Sequence, residues 1–313
     1  MRLKKFYIAT LIIVAALILG VAIYYLTRPI ALRISTTTSL YGTGLLDFLK
    51  EKFESNHPSI DLQFIAVGSG AALELAARGD VDMVLVHAPN LEYNYSQRGI
   101  IINGTIFAYN YFVIVGPEDD PAGIRGADPI EAMKRIYNAC ERGEAIFVSR
   151  GDNSGTHQRE LLLWKLANLS PFDKDWYRET GTGMTETLLY ADQENAYTIS
   201  DTGTYLKLKK EGRISLVSLV SEGKVLLNIY SVYLVNTTMF PHVNSDWAKK
   251  FKEFLVSDEG QELIGSYGVD VYGEPLFYPA KGKEDYLQEA WMWFVQLAYS
   301  NTTYVHWGSY HGA

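Results

Sequence analysis

The chain has 313 residues, a length typical of about two domains, and 48% of these residues are hydrophobic, so it can bury a sizeable core. Its formal charge of −8 excludes a general attraction to nucleic acid or to anionic lipid. The single cysteine, Cys140, excludes an internal disulfide framework and the multi-cysteine zinc patterns.

The first predicted element is an apolar segment at the N-terminus. Residues 6–26 are uncharged and follow a basic start, and their number is close to the ~20 residues that a helix needs to cross hydrocarbon. Because no A-x-A cleavage pattern precedes Thr27, residues 1–28 are predicted as a signal anchor in preference to a cleaved signal peptide. The positive-inside rule then places everything after Arg28 on the outer face of the cytoplasmic membrane, periplasmic or extracellular, either anchored or secreted.

Two strand–loop–helix units open the exported part. Strands are predicted at residues 32–34 and 62–67, and each leads through a polar loop, residues 35–39 and 68–70, into a helix. A buried strand follows at residues 81–86. This alternation is typical of an α/β fold with a largely parallel sheet. Ligands of open α/β sheets normally bind at the edge where both loops are expected to lie.

A third unit of the same kind lies later in the chain. Its strand is predicted at residues 145–149, its loop at 150–157 and its helix at 158–168. Two long extended runs, residues 109–116 and 225–235, are interpreted as the chain crossing between two domains and returning.

The predicted domains follow from these crossings. Residues 29–112 together with 233–284 form lobe 1, and residues 113–232 form lobe 2. Residues 285–313 are a C-terminal tail rich in Trp and Tyr, which could pack on the body or lie at a membrane interface. We favour packing.

The three loops share hydroxyl groups, glycines and a position before a helix. A helix N-terminus presents unpaired N–H groups and a partial positive charge, so it binds anions. Arg150 is the cation among the loop residues, and its planar guanidinium can make paired hydrogen bonds to two oxygens. The sequence therefore predicts a donor-rich pocket for an oxyanion.

Four segments together resemble the tungstate-binding proteins of ABC transporters: residues 36–39, 80–89, 149–157 and 196–205. The resemblance covers roughly residues 32–280. It implies a two-lobed α/β fold of the periplasmic-binding-protein type II, which closes a central cleft on a tetrahedral oxyanion. The related phosphate-binding proteins share the Arg-x-x-x-Ser-Gly-Thr spacing that begins here at Arg150.

The resemblance also implies site residues. The expected ligand-binding residues are Thr37, Thr38, Ser39, Ser69, His87, Arg150, Ser154, Gly155 and Thr156. The residues expected to support them are Thr36, His157, Tyr197, Asp201 and Thr202.

His87 suggests which oxyanion is bound. In the phosphate-binding proteins an Asp stands after the corresponding strand and accepts a proton from monohydrogen phosphate. A fully deprotonated dianion has no proton to give, whereas an imidazole can donate to it. We therefore expect tungstate or molybdate in preference to phosphate, with His87 as a donor, and only the family resemblance favours tungstate over molybdate.

Other interpretations of these residues stay open at this point. Residues 36–39 could form a simple helix cap, Arg150 could pair with Asp152 or Asp201, and His87 could be a buried, hydrogen-bonded histidine. A sulfate receptor, a membrane-tethered hydrolase or an Arg-Gly-Asp adhesion module are alternative functions. The G-x-S-x-G elbow of hydrolases is absent from the sequence.

The expectation is therefore a monomeric solute-binding protein that delivers its oxyanion to an ABC transporter permease. We expect it to have no catalytic activity and no cofactor. We also expect no metal site, because tungstate would be bound as an intact oxyanion through hydrogen bonds and would not exchange its oxygen ligands for protein side chains.

Overall fold

The computed structural model describes residues 7, 10, 11, 13–20 and 28–300. Ten of the 21 residues of the predicted membrane segment, residues 6–26, lie outside this part of the chain. Among the residues that are described, no helix combines the length and the hydropathy required to cross a membrane.

Six of the strands in residues 28–300 were predicted and occur in the predicted order, but the strand predicted at residues 109–116 begins eight residues earlier, at Ile101. The strands of this part of the chain are β1 (Ile30–Thr37), β2 (Ile60–Val67), β3 (Met83–Val86), β4 (Ile101–Gly116), β5 (Phe147–Ser149), β6 (Tyr177–Glu179), β7 (Thr198–Asp201), β8 (Val217–Val220), β9 (Leu227–Val235) and β10 (Tyr278–Pro279).

The main sheet has the strand order β10-β4-β9-β3-β1-β2. Strands β1, β2 and β3 run parallel, so the loops that follow them open at one edge of the sheet. Strand β4 is long and pairs with different strands along its length. Residues 101–111 pair with β9, and residues 112–116 pair with β7 and β8. β4 and β9 contain the two extended runs that the sequence analysis interpreted as crossings.

The helices alternate with the strands. In residues 28–300 they are α1 (Thr38–Gly42), α2 (Leu45–Asn56), α3 (Ser69–Ala77), α4 (Pro89–Gln97), α5 (Pro129–Glu141), α6 (Gly155–Leu166), α7 (Met184–Gln193), α8 (Thr202–Lys210), α9 (Ser245–Val256), α10 (Asp258–Ser266), α11 (Val269–Tyr272) and α12 (Glu284–Tyr299).

The helices that follow β2 and β5 begin earlier than predicted. Helix α3 already begins at Ser69, and α6 begins at Gly155 because the Ser154 hydroxyl accepts a hydrogen bond from the His157 N–H and caps the helix. Both predicted loops are therefore shorter, and Ser69, Thr156 and His157 lie in the first turn of a helix, whereas Arg150, Asp152, Asn153 and Ser154 precede α6.

The hydrophobic residues form separate cores on the two parts of β4. One core contains Leu32, Phe53 and Phe251 beside β1–β3. Another surrounds Phe112 and Trp164 and also receives the apolar face of α12. The C-terminal helix thus packs on the body, as we favoured. Residues 301–313 lie outside the described part of the chain.

Candidate oxyanion site

Arg150 connects the loop after β5 to Thr38, the first residue of α1, which follows β1 directly. Its side chain is 2% exposed, and Nη2 donates to Thr38 Oγ1 at 3.1 Å and to Asp152 Oδ2 at 2.5 Å. Nε donates to the Thr182 carbonyl oxygen at 3.3 Å. Nη1 is buried and has no hydrogen-bond partner. Arg150 therefore forms the ion pair with Asp152, which was one of the alternatives in the sequence analysis. Its Nη1 nitrogen has no partner and can still donate to a ligand.

The loop after β2 also lies against the loop after β5. The Gly70 N–H donates to the Asn153 carbonyl oxygen at 3.2 Å, and a Cβ on Gly70 would overlap the Asn153 side chain. A Cβ on Gly68 would lie 3.1 Å from the Asp152 carbonyl oxygen. Glycine at these positions allows the two backbones to approach, so the three predicted loops converge.

Several buried donors at this convergence have no partner. They are Thr36 Oγ1, Ser69 Oγ, Arg150 Nη1, Thr156 Oγ1 and His157 Nε2. A buried polar group without a hydrogen bond costs about 1–3 kcal/mol, and native proteins satisfy most of them. Each of these groups can donate to an acceptor, and one is cationic. The arrangement is therefore suited to a buried anion. Thr36, which we expected to play a supporting role, belongs to this set.

Two predicted ligand hydroxyls also cap helices. Thr37 Oγ1 accepts from the Leu40 N–H at 3.3 Å, and Ser154 Oγ accepts from the His157 N–H at 3.2 Å. The capping interpretation of the first loop is therefore correct for Thr37. A capping hydroxyl still has its own hydrogen to donate, so the cap does not prevent contact with a ligand.

His87 lies beside the first and third loops, but its hydrogen bonds correct its predicted role. The side chain is 1% exposed; Nδ1 lies 2.8 Å from Asn228 Oδ1 and Nε2 lies 3.3 Å from Ser39 Oγ. Burial lowers its pKa to about 4, so the ring is neutral at physiological pH. A neutral ring that donates from Nδ1 to Asn228 keeps an unprotonated Nε2, which accepts from Ser39 and cannot donate to a ligand.

Among the residues predicted to support the site, Tyr197 is placed wrongly. Its ring is fully buried in the core, and its hydroxyl donates to Asp120 Oδ1 at 2.8 Å and accepts from the Ala122 N–H at 2.8 Å. It anchors the chain after β4 and does not face the three loops. The sequence around Tyr197 does not distinguish a tyrosine that packs in the core from one that lies at the site.

Asp201, Thr202 and His157 have local roles. Asp201 caps α8, because its carboxylate accepts from the Thr204 N–H and from the Thr204 hydroxyl, each at 2.8 Å. It makes no hydrogen bond to Arg150. Burial raises the pKa of Asp201. Thr202 is the first residue of α8. His157 Nδ1 accepts from the Asn153 N–H at 3.0 Å and so holds the third loop.

Sequence reasoning missed Asn110 and Asn228. Both are fully buried, and they are cross-strand partners in β4 and β9. Asn228 contacts His87 directly. A signal was present, because an amide side chain within a long apolar strand is costly unless it is hydrogen-bonded.

A buried carboxylate lies behind the third loop. Glu160 accepts from Ser149 Oγ at 2.7 Å, Tyr177 OH at 2.6 Å and Trp164 Nε1 at 3.2 Å. Burial raises its pKa to about 7. Throughout the described residues, no group of three or more His, Cys, Asp or Glu side chains could hold a metal ion.

Comparison with known proteins shows which proteins this chain is similar to. The model of the PBP superfamily domain matches residues 26–259. The structure described as the tungstate ABC transporter from Geobacter sulfurreducens is 42% identical, covers 76% of this chain and 98% of its own, and has a TM-score of 0.67. The tungstate-binding protein TupA from Desulfovibrio alaskensis G20 is 40% identical over 80% of this chain and 99% of its own, also with a TM-score of 0.67.

A curated relative extends the comparison. Tungstate-binding protein TupA of Peptoclostridium acidaminophilum is 37% identical over 250 residues, which are 80% of this chain and 86% of that protein. The chain therefore belongs to the periplasmic-binding-protein superfamily. Within that superfamily, it is a member of the family of the tungstate-binding proteins of ABC transporters. The predicted α/β fold and the expectation of a solute-binding protein instead of an enzyme are confirmed.

Proposed function

We propose that this protein captures a tetrahedral oxyanion, tungstate or molybdate, outside the cytoplasm and delivers it to the permease of an ABC transporter. The observation that carries the proposal is the set of buried donors without partners on three converging loops, of which Arg150 Nη1 is cationic. The names of the relatives support tungstate as the ligand.

The donor set favours a fully deprotonated anion. Asp152 is the carboxylate nearest to Arg150, and both of its oxygens are used: Oδ2 accepts from Arg150 and Oδ1 accepts from the Ser154 N–H at 3.1 Å. Each oxygen keeps a lone pair, but the negative charge of the carboxylate is already compensated by Arg150. Hydroxyl groups and a guanidinium suit the acceptor oxygens of tungstate or molybdate.

The organisation of the protein is part of the proposal. Residues 29–112 with 233–284 act as one lobe and residues 113–232 as the other. The change of strand partners along β4 supports two lobes, but residues 227–232 of β9 pair with residues 105–111 of the first lobe. Hinge closure of the lobes buries the ion and presents the closed form to the permease. Residues 1–28 anchor a monomer to the outer face of the cytoplasmic membrane.

Calorimetric titration of the purified, anion-free protein tests the proposal. Tungstate, molybdate, sulfate and phosphate are compared at equal concentration. We expect tight one-to-one binding of tungstate or molybdate and weak or absent binding of phosphate. A preference for sulfate would identify a different oxyanion receptor, and no binding of any of the four would overturn the proposed site.

A further inference from the structure

A continuous chain of hydrogen bonds runs from strands β4 and β9 to the candidate site. Asn110 Nδ2 donates to the Leu276 carbonyl oxygen at 3.2 Å, and Asn228 Nδ2 donates to Asn110 Oδ1 at 2.8 Å. His87 Nδ1 then lies 2.8 Å from Asn228 Oδ1, and His87 Nε2 lies 3.3 Å from Ser39 Oγ. The Asn and His side chains and that of Ser39 are at most 2% exposed.

The first acceptor determines the direction of every bond in this chain. A backbone carbonyl can only accept, so Asn110 presents its Nδ2 to Leu276 and its Oδ1 to Asn228. Asn228 therefore directs Nδ2 to Asn110 and to the Tyr230 hydroxyl, 2.9 Å away, and Oδ1 to His87. The reverse orientation of Asn228 would place two amide oxygens 2.8 Å apart. His87 must accordingly carry a proton on Nδ1.

This tautomer affects what Ser39 can do. The unprotonated Nε2 takes the hydroxyl hydrogen of Ser39, which then offers lone pairs to an incoming oxyanion and repels it. If Nε2 is protonated instead, it donates to Ser39 Oγ, and the hydroxyl hydrogen of Ser39 is free to bind the anion. Ser39 can therefore donate to a ligand while His87 remains hydrogen-bonded to it only if His87 gains a proton.

The charges around His87 decide when it gains that proton. Arg150 and Arg159 oppose protonation and Asp152 favours it, while the rings of Tyr230 and Phe112 stack on the imidazole. Burial and the two arginines outweigh Asp152 and keep the ring neutral in the structure as it stands. The charge of Arg150 is already shared with Asp152. A buried dianion would therefore reverse the local balance and favour the imidazolium.

We propose that Asn110 and Asn228 are positioning residues that make His87 a proton acceptor, so that capture of a dianionic oxyanion is accompanied by uptake of one proton at His87 Nε2. This inference rests on the proposed function, because it requires a dianion in this site. The step forms one N–H bond, and the proton comes from the buffer acid, which is left as its conjugate base.

Calorimetry in buffers of different ionisation enthalpy tests this inference on the full-length protein. The apparent enthalpy of tungstate binding at pH 7.5 is plotted against the ionisation enthalpy of PIPES, HEPES and Tris, and the slope is the number of protons taken up. We expect about one proton for the wild type by linkage. His87→Gln should reduce the slope to near zero with binding weakened but measurable. His242→Gln is the matched control, because His242 contacts the Gly79 carbonyl oxygen and no residue of the proposed site.

The outcomes separate the inference from the proposed function. Tight binding with a slope near zero in the wild type would overturn proton uptake and leave the oxyanion receptor intact, whereas absence of binding would overturn the receptor itself. A slope that His87→Gln does not change would assign the proton to another group. If His87→Gln does not fold, ¹⁵N NMR of the wild-type imidazole decides: Nε2 must gain a proton when tungstate is added, and an unchanged ring contradicts the inference.

Discussion

At the scale of single residues, substitutions of two buried serines should distinguish an effect on ligand binding from an effect on stability. Ser35 and Ser69 are both fully buried. Ser35 Oγ donates to the Ala72 carbonyl oxygen at 3.0 Å, whereas Ser69 Oγ has no partner. A hydrogen bond that exists in the free protein stabilises its fold, and a donor without a partner does not.

The first prediction is that Ser69→Ala leaves the melting temperature of the anion-free protein unchanged or raises it slightly, and weakens tungstate binding by about 10-fold or more, as expected for a lost hydrogen bond to a charged group. Ser35→Ala should do the opposite and cost about 1 kcal/mol of stability with little effect on affinity. Thermal unfolding and calorimetry measure the two quantities. A Ser69→Ala variant that loses stability and keeps its affinity would show that this hydroxyl does not face the ligand.

The second prediction concerns Arg150. Arg150→Ala should weaken oxyanion binding by more than about tenfold, because it removes a charge-assisted donor from a buried anion. Arg142→Ala is the matched control, since Arg142 pairs with Glu144 on the surface at 2.6 Å. Calorimetric affinities of both variants test this, and unchanged affinity in Arg150→Ala would remove Arg150 from the site.

At the scale of elements, the site depends on how closely the start of α6 approaches the end of β3. Gly155 is the first residue of α6, and a Cβ there would lie 2.7 Å from both His87 Nε2 and the His87 carbonyl oxygen. The carbonyl oxygen is backbone and cannot rotate away. Glycine is therefore required at position 155 because α6 and the end of β3 are in close contact. Its φ angle is not in the left-handed region, so the backbone conformation itself does not require glycine.

The third prediction follows from this contact. Gly155→Ala should lower the free energy of unfolding by about 1–3 kcal/mol through overpacking and should also weaken oxyanion binding, because α6 must shift away from His87. Gly42→Ala is the control, since a Cβ at Gly42 in α1 meets no atom within 4 Å. Chemical denaturation and calorimetry of both variants provide the test. Wild-type stability in Gly155→Ala would contradict the close approach of the two elements.

At the scale of the whole molecule, buried ionisable groups make stability depend on pH. Burial raises the pKa values of Glu92 and Glu160 to about 7 and lowers that of His87 to about 4. A raised pKa stabilises the fold at low pH, and this contribution is lost as the pH rises from about 4.5 to about 7. The lowered pKa of His87 acts in the opposite direction, because its contribution is lost as the pH falls from about 6.5 to about 4.

The fourth prediction isolates one of these groups. Glu160→Gln should flatten the pH dependence of the unfolding free energy between pH 4.5 and 7 by an amount on the order of 1–3 kcal/mol, because the variant has no carboxyl group to protonate. The Ser149 hydroxyl can turn to accept from the new amide. Urea denaturation of the anion-free protein at several pH values measures the effect. Glu131→Gln, an exposed substitution, is the control, and equal profiles for all three proteins would show that Glu160 does not titrate in this range.

Local sequence determined the order of the elements and the place of the binding loops. Alternating apolar runs and helical patterns predict strands and helices, and hydroxyl and glycine residues after β1, β2 and β5 predict the three loops, because such signals arise within a few residues of the chain. The helix caps Thr37, Ser154 and Asp201 are likewise local. The family segments containing these residues were sufficient to predict the class of protein.

Only the tertiary structure decided which polar groups have partners and in which direction His87 is hydrogen-bonded. His87 and Asn228 are 141 residues apart in sequence, and Arg150 and Thr38 are 112 residues apart. Tyr197 lies in the core instead of at the site for the same reason, since its partners Asp120 and Ala122 are distant in the chain. Residue types indicate which hydrogen bonds are chemically possible. The packing of β4 against β9 and of α6 against His87 determines which of them form.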